Sequence, residues 1–228
     1  MFHENFEPYA KAGDEVLYLC FSTGIAGTFN AANLAKEELQ EEYPDFKITI
    51  IDTKCASMGF GLAVEKVLRM QANGAPKELI IEAAQYFCSH MEHIVTVETL
   101  EYLYKGGRLS KTSAVLGGVL DLKPIIEINQ DGALVATEKI RGRHKSLKRC
   151  VELVGERGVE LDKQIISVVL GIDPESCEKV CAMLEENFHC LDIIRSWVGC
   201  AIGAHTGPGI IGIVFLNASE EKYAEYLK

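Results

Sequence analysis

One histidine, His205, lies in a run of small residues, "CAIGAHTGPGIIGIVFL" at 200–216, directly before an apolar stretch typical of a strand. The glycines and the proline predict that His205 lies in a tight turn. An imidazole there can act as a general base, bind a metal, donate to a carboxylate, or only form a local hydrogen bond. No second histidine stands at metal-ligand spacing from it. Thr206 and Gly207 continue the turn and belong to the same candidate site.

A second candidate site is the segment "FSTGIAGTF" at 21–29, which follows the first predicted strand. Ser22, Thr23 and Thr28 supply hydroxyl groups, while Gly24 and Gly27 would let a ligand approach the backbone. Ligands of α/β sheets bind outside the carboxyl ends of the strands, and free N–H groups at a helix start favour an anion. An ordinary strand-to-helix turn explains the same residues. The glycine spacing fits neither a dinucleotide fingerprint nor a phosphate loop, so a nucleotide ligand is not indicated.

A hydrolase or acyl transferase is an alternative from a different functional class. Ser22 could serve as the nucleophile, His205 as the general base, and Asp52, at the end of the second predicted strand, as the residue that orients it. Ser22 does not lie in a GxSxG motif, and these residue types are common in any chain of 228 residues. Turnover of a model ester that Ser22→Ala abolishes would favour this alternative.

The elements that must position these residues follow an α/β pattern. The first ninety residues predict β-α-β-α-α, with strands at 15–22 and 46–53 and helices at 30–43, 57–75 and 76–91. The remainder predicts an α+β arrangement around a mixed sheet. Its strands are expected at 93–99, 163–172, 190–199 and 210–216, its hairpin at 123–141, and its helices at 100–110, 111–121, 142–158 and 173–188. We therefore predict two domains, residues 1–92 and residues 93–228.

Composition excludes several functional classes. The chain has 23 basic and 33 acidic residues, a net charge of −10, which argues against a nucleic-acid partner because phosphate neutralisation needs clustered lysines and arginines. No apolar run reaches the length of a membrane span, and the first residues lack a signal-peptide pattern. We expect a cytoplasmic protein. The eight cysteines form no CxxC pair, so neither a disulfide framework nor a metal site is expected.

Two basic segments stand out in this acidic chain, "YKGGRLSK" at 104–111 and "EKIRGRHKSLKR" at 138–149. The first contains Arg108 and the second contains Arg141. A solvated helix face explains such segments in most proteins. The alternative is a docking face for an acidic or phosphorylated partner.

Six segments, taken in order, resemble the signature segments of the DegV family of bacterial fatty-acid-binding proteins. They are "FSTGIAGTF", "IDTKCASMGFG", "LEYLYKGGRLSK", "LGGVLDLKPII", "DGALVATEKIRGRHKSL" and "GAHTGPGIIGI". The resemblance implies a two-domain α/β fold with a long-chain fatty acid held non-covalently between the domains. It also implies that the chain catalyses nothing alone, needs no cofactor, and presents the lipid to a separate ATP-binding fatty acid kinase subunit. Such a carrier can contact a membrane transiently without spanning it.

The resemblance also implies roles for single residues. Thr23 and His205 match the family's contacts to the carboxylate, with Ser22 beside them, and Arg108 and Arg141 match arginines linked to the head group or to kinase docking. The helices with small faces, at 57–64 and 113–120, are expected to leave room for the acyl chain. His205 is then best explained as a donor to a carboxylate.

Two departures from the family pattern affect these expectations. The family's first strand with its Asp-Ser pair, and a later Thr-Ser-Gln-Pro segment, have no counterpart in the sequence. The chain is then a fragment, a sequence with a mis-set start site or a truncated paralogue, and, if it is complete as written, an open sheet edge and one carboxylate donor fewer are expected. The family's "SGT" serine is replaced by Ala26, whereas Thr28 is retained, and this change is expected to matter little.

Overall fold

The computed structural model of the chain describes residues 1–110 and 121–228. The small-residue helix predicted at 111–121 therefore lies, except for Asp121, outside the described residues. The helices are α1 Phe2–Ala12, α2 Thr28–Glu42, α3 Met58–Ala72, α4 Lys77–Ser89, α5 Glu101–Lys105, α6 Arg143–Arg157, α7 Pro174–Phe188 and α8 Cys200–Thr206. The strands are β1 Val16–Cys20, β2 Ile48–Asp52, β3 Met91–Thr96, β4 Leu122–Ile128, β5 Leu134–Arg141, β6 Ile165–Leu170, β7 Asp192–Trp197 and β8 Ile211–Leu216.

The strands form two sheets of different character. β1 and β2 pair in parallel, while the other six strands follow the order β5-β4-β3-β8-β6-β7. Within the larger sheet β6 and β7 are parallel and the remaining pairs are antiparallel, so the sheet is mixed. This confirms the predicted fold class. Strand β2 belongs to the small sheet, whereas β3, which begins at Met91, belongs to the larger sheet. The division into two domains at residue 92 stays a prediction.

The helices α3 and α4 lie between the two sheets, because each carries apolar residues on two faces. One face packs on the larger sheet, through a buried cluster that includes Leu62, Ala63, Met70, Phe87, Val214 and Leu216. The other face packs on the small sheet, through Ile51, Val67 and Ala84 with Leu17 and Leu19 alongside. Alternate residues of β1 and β2 point to opposite faces, so Val16, Tyr18 and Ile48 pack instead on α1 and α2.

The far face of the larger sheet is covered by α6 and α7. Their buried residues, among them Leu147, Val151, Val180 and Leu184, pack on β6 and β8. As its Asp-Pro sequence predicts, α7 starts with a cap: the Asp173 carboxylate accepts a hydrogen bond of 3.1 Å from the Ser176 N–H, and Pro174 occupies the first turn. The molecule is thus layered as helices, small sheet, helices, large sheet, helices. No helix within the described residues is long and apolar enough to cross a bilayer.

The β4–β5 hairpin reaches across to the loops that follow β1 and β2. Its turn contains Gly132, at φ +78°, as the Asp-Gly sequence predicts. The Ser22 hydroxyl donates to the Gly132 carbonyl at 2.7 Å, and the Lys54 ammonium donates to the Gln130 carbonyl at 2.8 Å. A Cβ on Gly132 would fall 2.2 Å from the Ser22 oxygen. The glycine therefore permits a close contact that ties the two sheets together beside the cavity described next.

Candidate functional site

A cavity of about 460 Å³ lies between the two sheets. The loops after β1 and β2 and the start of α3 form one wall, the face of the larger sheet forms the opposite wall, and residues at α5 and α8 line the remaining sides. Its apolar lining consists of Phe21, Ile25, Ala26, Ala56, Phe60, Val95, Val97, Leu103, Ile126, Ile128, Leu134, Val169, Val198, Gly199, Ala201, Ile202, Ile210 and Val214. Polar side chains in the lining are few: Ser57, His93, Arg108, His205 and Thr206. An apolar cavity with a few polar groups is typical of a site for a small amphipathic ligand.

His205 is held at this cavity by helix α8 rather than by a turn. The prediction of a turn at His205 was wrong: the residue lies in the last helical turn, and the glycine-proline turn begins only at Gly207, with φ +79°. The ring packs against Gly106, where a Cβ would fall 2.0 Å from the imidazole Nδ1. That Nδ1 is buried and has no hydrogen-bond partner among residues 1–110 and 121–228. Because this nitrogen is packed on the glycine backbone, a ligand in the cavity would contact another part of the imidazole ring.

Arg108 contacts Gly106, the same glycine on which the His205 ring packs. Helix α5 ends at Lys105, before Gly106 and Gly107 and earlier than the helix predicted at 100–110, and the chain then turns so that the Arg108 guanidinium donates to the Gly106 carbonyl at 2.7 Å. No described carboxylate forms an ion pair with Arg108. A half-buried guanidinium beside an imidazole provides a cationic corner in an otherwise apolar cavity, and this corner suits an anionic group.

Thr206 and Gly207 both form contacts within the protein that hold α8 in place. The Thr206 hydroxyl donates to the Ile202 carbonyl at 2.9 Å, within α8, although the residue also lines the cavity. Gly207 is buried, and a Cβ there would fall 2.6 Å from the Tyr102 ring. Gly207 thus allows α8 to pack against α5. Their predicted role as ligand contacts stays a prediction.

The residues of the loop after β1 that line the cavity are not the hydroxyl residues and glycines that the sequence analysis proposed as ligand contacts. Ile25 and Ala26 line it, whereas Ser22, Thr23, Gly24, Gly27 and Thr28 do not. Ser22 is fully buried; its oxygen donates to Gly132 and accepts from the Gly24 N–H at 3.2 Å.

The remaining polar groups of this loop bind within the protein. The Thr23 N–H donates to the Asp52 carboxylate at 3.1 Å, and the Cys20 thiol donates to the Thr28 hydroxyl at 3.5 Å. A Cβ on Gly24 would fall 2.4 Å from the Gly132 carbonyl carbon. These bonds fix the loop, and contacts of its hydroxyls to a ligand stay a prediction.

The geometry does not support the hydrolase alternative. The Ser22 proton is directed to a backbone carbonyl, and no hydrogen bond joins Ser22 to His205 in the part of the chain that the structure describes. The Asp52 carboxylate accepts from the backbone N–H groups of Thr23 and Lys54, at 3.1 and 3.2 Å, so it orients the loop rather than an imidazole.

Sequence reasoning missed two polar residues of the cavity, Ser57 and His93. His93 is only 5% exposed, and its side chain lines the cavity. The Ala56 N–H donates to its Nε2 at 3.3 Å. Burial lowers the pKa of His93 to about 4, against weaker opposing effects of the Ala56 and Met91 backbone. The signal was present in the alternation of His93, Val95 and Val97, which places all three on one face of β3 and the residue after it.

The second basic segment is divided between the interior and the surface. Arg143 donates to the Gly209 carbonyl at 2.7 Å and pairs with Glu98 and Asp173, both at 3.3 Å, which fixes the turn after α8. Arg149 pairs with Glu138 at 2.9 Å and with Glu156 at 2.6 Å. Arg141, at the end of β5, and Lys145, on α6, are exposed and do not line the cavity.

Comparison with known proteins agrees with this architecture. The family model described as "Uncharacterised protein, DegV family" matches residues 1–218. A DegV domain-containing protein of Clostridium perfringens is 36% identical over 220 residues, which cover 96% of this chain and 76% of that protein.

Two solved structures share the fold. The fatty acid binding DegV family protein from Streptococcus agalactiae superposes with a TM-score of 0.83 at 28% identity, covering 95% of this chain and 75% of that one. The Streptococcus pneumoniae fatty acid kinase B3 protein, loaded with linoleic acid, has a TM-score of 0.83 at 22% identity, covering 93% and 76%, and shows likeness of fold alone. Since both sequence and architecture match over nearly the whole length, the chain belongs to the DegV family.

Proposed function

We propose that the chain binds one long-chain fatty acid non-covalently in the cavity between its sheets. The observation that carries the proposal is the cavity itself, about 460 Å³ in volume and mostly apolar in its lining, with an imidazole and a guanidinium together at Gly106. Membership of a family with a fatty-acid-binding relative supports it. Each buried methylene contributes about 0.8 kcal/mol, so ten of them would offset the cost of immobilising the ligand.

The carboxylate is proposed to lie against His205 and Arg108. The imidazole and the guanidinium both lie at Gly106, and the guanidinium supplies charge-assisted hydrogen bonds. The hydroxyls of Ser22 and Thr28 contribute less to this proposal, because both already form hydrogen bonds within the protein. Thr23 is exposed and lies outside the lining.

The chain is further proposed to perform no chemistry alone and to present the bound carboxylate to a separate ATP-binding kinase subunit. Family membership supports this step, as does the exposed pair Arg141 and Lys145, whose charges suit an acidic docking surface. Arg108 and His205 would then hold the oxygen that accepts the phosphoryl group.

Replacement of His205 by alanine tests the carboxylate site. We expect the affinity for stearic acid to fall about tenfold, because a hydrogen bond to a charged group is lost, while the affinity for neutral methyl stearate stays the same. Titration calorimetry with both ligands measures the difference. Gly106→Ala should imitate His205→Ala, since its new Cβ would displace the ring, whereas Gly61→Ala, whose Cβ would meet Met58 at an ordinary 3.4 Å, should not. An equal loss for acid and ester would overturn the assignment.

Replacement of Arg141 by glutamate tests the docking step. With stearic acid bound and the ATP-binding subunit and ATP supplied, we expect acyl phosphate to form about tenfold more slowly, with fatty-acid affinity unchanged. The matched control is Lys179→Glu on α7, an exposed residue outside the basic segment that pairs only with Glu175 in the described structure, at 2.7 Å. Equal rates for Arg141→Glu and the parent would contradict docking through this surface.

A further inference from the structure

Strand β1 forms one edge of the small sheet, although its sequence is typical of a strand in the middle of a sheet. Its residues, "VLYLC" at 16–20, include no charged side chain, no proline and no glycine. Parallel strands that are covered on both faces have such continuous apolar sequences. The small sheet has the order β1-β2, so β1 has a strand neighbour on one side and none on the other within residues 1–110 and 121–228.

The burial of β1 reflects this open edge. The apolar strand β8, which lies between β3 and β6, is buried at every residue. In β1 only Cys20 is buried, whereas Val16, Leu17, Tyr18 and Leu19 are half-buried. Helices already pack on both faces of β1, against Leu17 and Leu19 on one side and Val16 and Tyr18 on the other. The remaining exposure of these side chains is therefore towards the edge.

The hydrogen bonds of β1 identify the backbone groups that lie at the open edge. The Val16 N–H donates to the Lys47 carbonyl at 2.9 Å, and the Cys20 carbonyl accepts from the residue after β2 at 3.1 Å. Alternate residues from Val16 to Cys20 therefore bond to β2, and in a parallel ladder the residues between them direct their N–H and C=O groups away from that strand. These residues are Leu17 and Leu19.

The other edge strands carry charges that disfavour the addition of a strand. In the larger sheet, β5 contains Glu138 and Arg141 at one edge, and β7 contains Asp192 and Arg195 at the other. Charged side chains protect an edge because pairing would desolvate them or bring like charges together. Among the edge strands of the two described sheets, which also include β2 with its Asp52, only β1 has no charged residue.

We propose that the open edge of β1 pairs with the β1 edge of a second copy of this chain, antiparallel about a two-fold axis at Tyr18. Leu17 of each copy then lies opposite Leu19 of the other, and each such pair exchanges its N–H and C=O groups in hydrogen bonds. The two small sheets become one continuous sheet. The half-buried apolar side chains of β1 are covered at the same time, which stabilises the pairing.

Charge favours this orientation and this partner. Asp14 and Glu15 directly precede β1, and antiparallel pairing places those of the two copies about 20 Å apart, beyond the Debye length of about 8 Å. Parallel pairing would place them side by side. A second β1 strand also brings no charge to the apolar edge. Because each copy has a net charge of −10, general repulsion opposes the dimer, and added salt should strengthen it.

Sedimentation velocity over a concentration series tests the dimer. The edge of one short strand buries less than the roughly 1,200 Å² of a stable interface, so we expect a Kd of about 10–100 µM that falls with added salt. Leu19→Pro removes an outward N–H without removing a bond to β2, and this variant should stay monomeric at every concentration. The matched control is Leu19→Ala, which keeps the N–H and should dimerise within about threefold of the parent affinity.

Hydrogen exchange at the Leu17 and Leu19 amides tests the pairing without a substitution. When about nine-tenths of the chain is dimeric, both amides should exchange about tenfold more slowly than in a dilute sample, because exchange occurs from the monomer. Far-UV circular dichroism verifies that Leu19→Pro is folded, and Leu17→Pro, at the other outward position, is the second variant.

The contradicting outcomes are distinct. A parent chain that is monomeric at every concentration, or a folded Leu19→Pro that dimerises like the parent, would overturn the proposal. A dimer whose Leu17 and Leu19 amides exchange as fast as in the dilute chain would show pairing through another surface. Slow exchange of both amides that does not depend on concentration would show that another segment of the chain covers the edge, and would overturn the proposal as well.

Discussion

Replacement of Val95 by tryptophan should shorten the fatty acid that the protein accepts. The Val95 side chain is half-buried on β3 and lines the cavity, so a larger side chain at this position must occupy ligand space. An indole displaces roughly four methylenes, and at about 0.8 kcal/mol each the affinity for stearic acid should fall about a hundredfold. Decanoic acid, which leaves part of the cavity empty, should bind almost as before. Competition with a fluorescent fatty acid measures both.

The control for this substitution is Leu34→Trp on α2, where the leucine is 61% exposed and far from the cavity lining. It places the same indole side chain at the surface and should leave both affinities unchanged. A parallel loss for decanoic and stearic acid in Val95→Trp would indicate general damage to the fold. Unchanged stearic acid affinity would show that the acyl chain lies elsewhere.

Acidification should destabilise the protein through His93. Its pKa is about 4 in the folded chain, against 6.5 for a histidine in water. Between these values the unfolded chain takes up a proton that the folded chain does not, so stability is lost as the pH falls below 6.5. From pH 7 to pH 4.5 this one group should cost about 2 kcal/mol of unfolding free energy. Urea unfolding at the two pH values measures the loss.

The contribution of His93 can be isolated by variants. His93→Phe removes the titrating group and should reduce the acid-induced loss by about 2 kcal/mol. His144→Gln, at an exposed histidine on α6, should leave the loss unchanged. An acid-induced loss of the same size in His93→Phe and in the parent would contradict the burial of a neutral imidazole at this position.

Local patterns were sufficient to predict most of the fold. Apolar runs predicted β1, β2, β6 and β8, and the Asp-Gly sequence predicted the hairpin. Each of these patterns lies within a few consecutive residues and favours one structure. Helix α1 was missed because Pro8 lies inside it, where the aromatic packing of Phe2 and Phe6 on Tyr18 outweighs the low helix propensity of proline.

Helix α8 was missed for the opposite reason. Its sequence, "CAIGAHT", is rich in small residues and a glycine, and such a composition favours a turn when it is considered locally. Packing against α5, which Gly207 permits by leaving room for the Tyr102 ring, supports the helix instead. Tertiary context of this kind has no signature within the segment itself.

The candidate site divides in the same way. His205 and Arg108 could be singled out because glycines mark their surroundings in the sequence, and the structure brings both to Gly106. Ser22 was chosen on equally good local grounds, yet its hydroxyl binds Gly132, which is 110 residues away in the chain. The hydrogen-bond partner of a hydroxyl group depends on how segments that are distant in the sequence pack together. The spacing of residues near Ser22 carries no information about that packing.

The most direct test of the central claim is mass spectrometry of an organic extract from the purified protein, with Val95→Trp extracted in parallel. After incubation with a mixture of fatty acids of different lengths, the account predicts about one long-chain fatty acid per parent molecule and shorter chains in the variant. An extract of the parent that contains no fatty acid after this incubation would contradict the claim that the cavity between the sheets is a fatty-acid site.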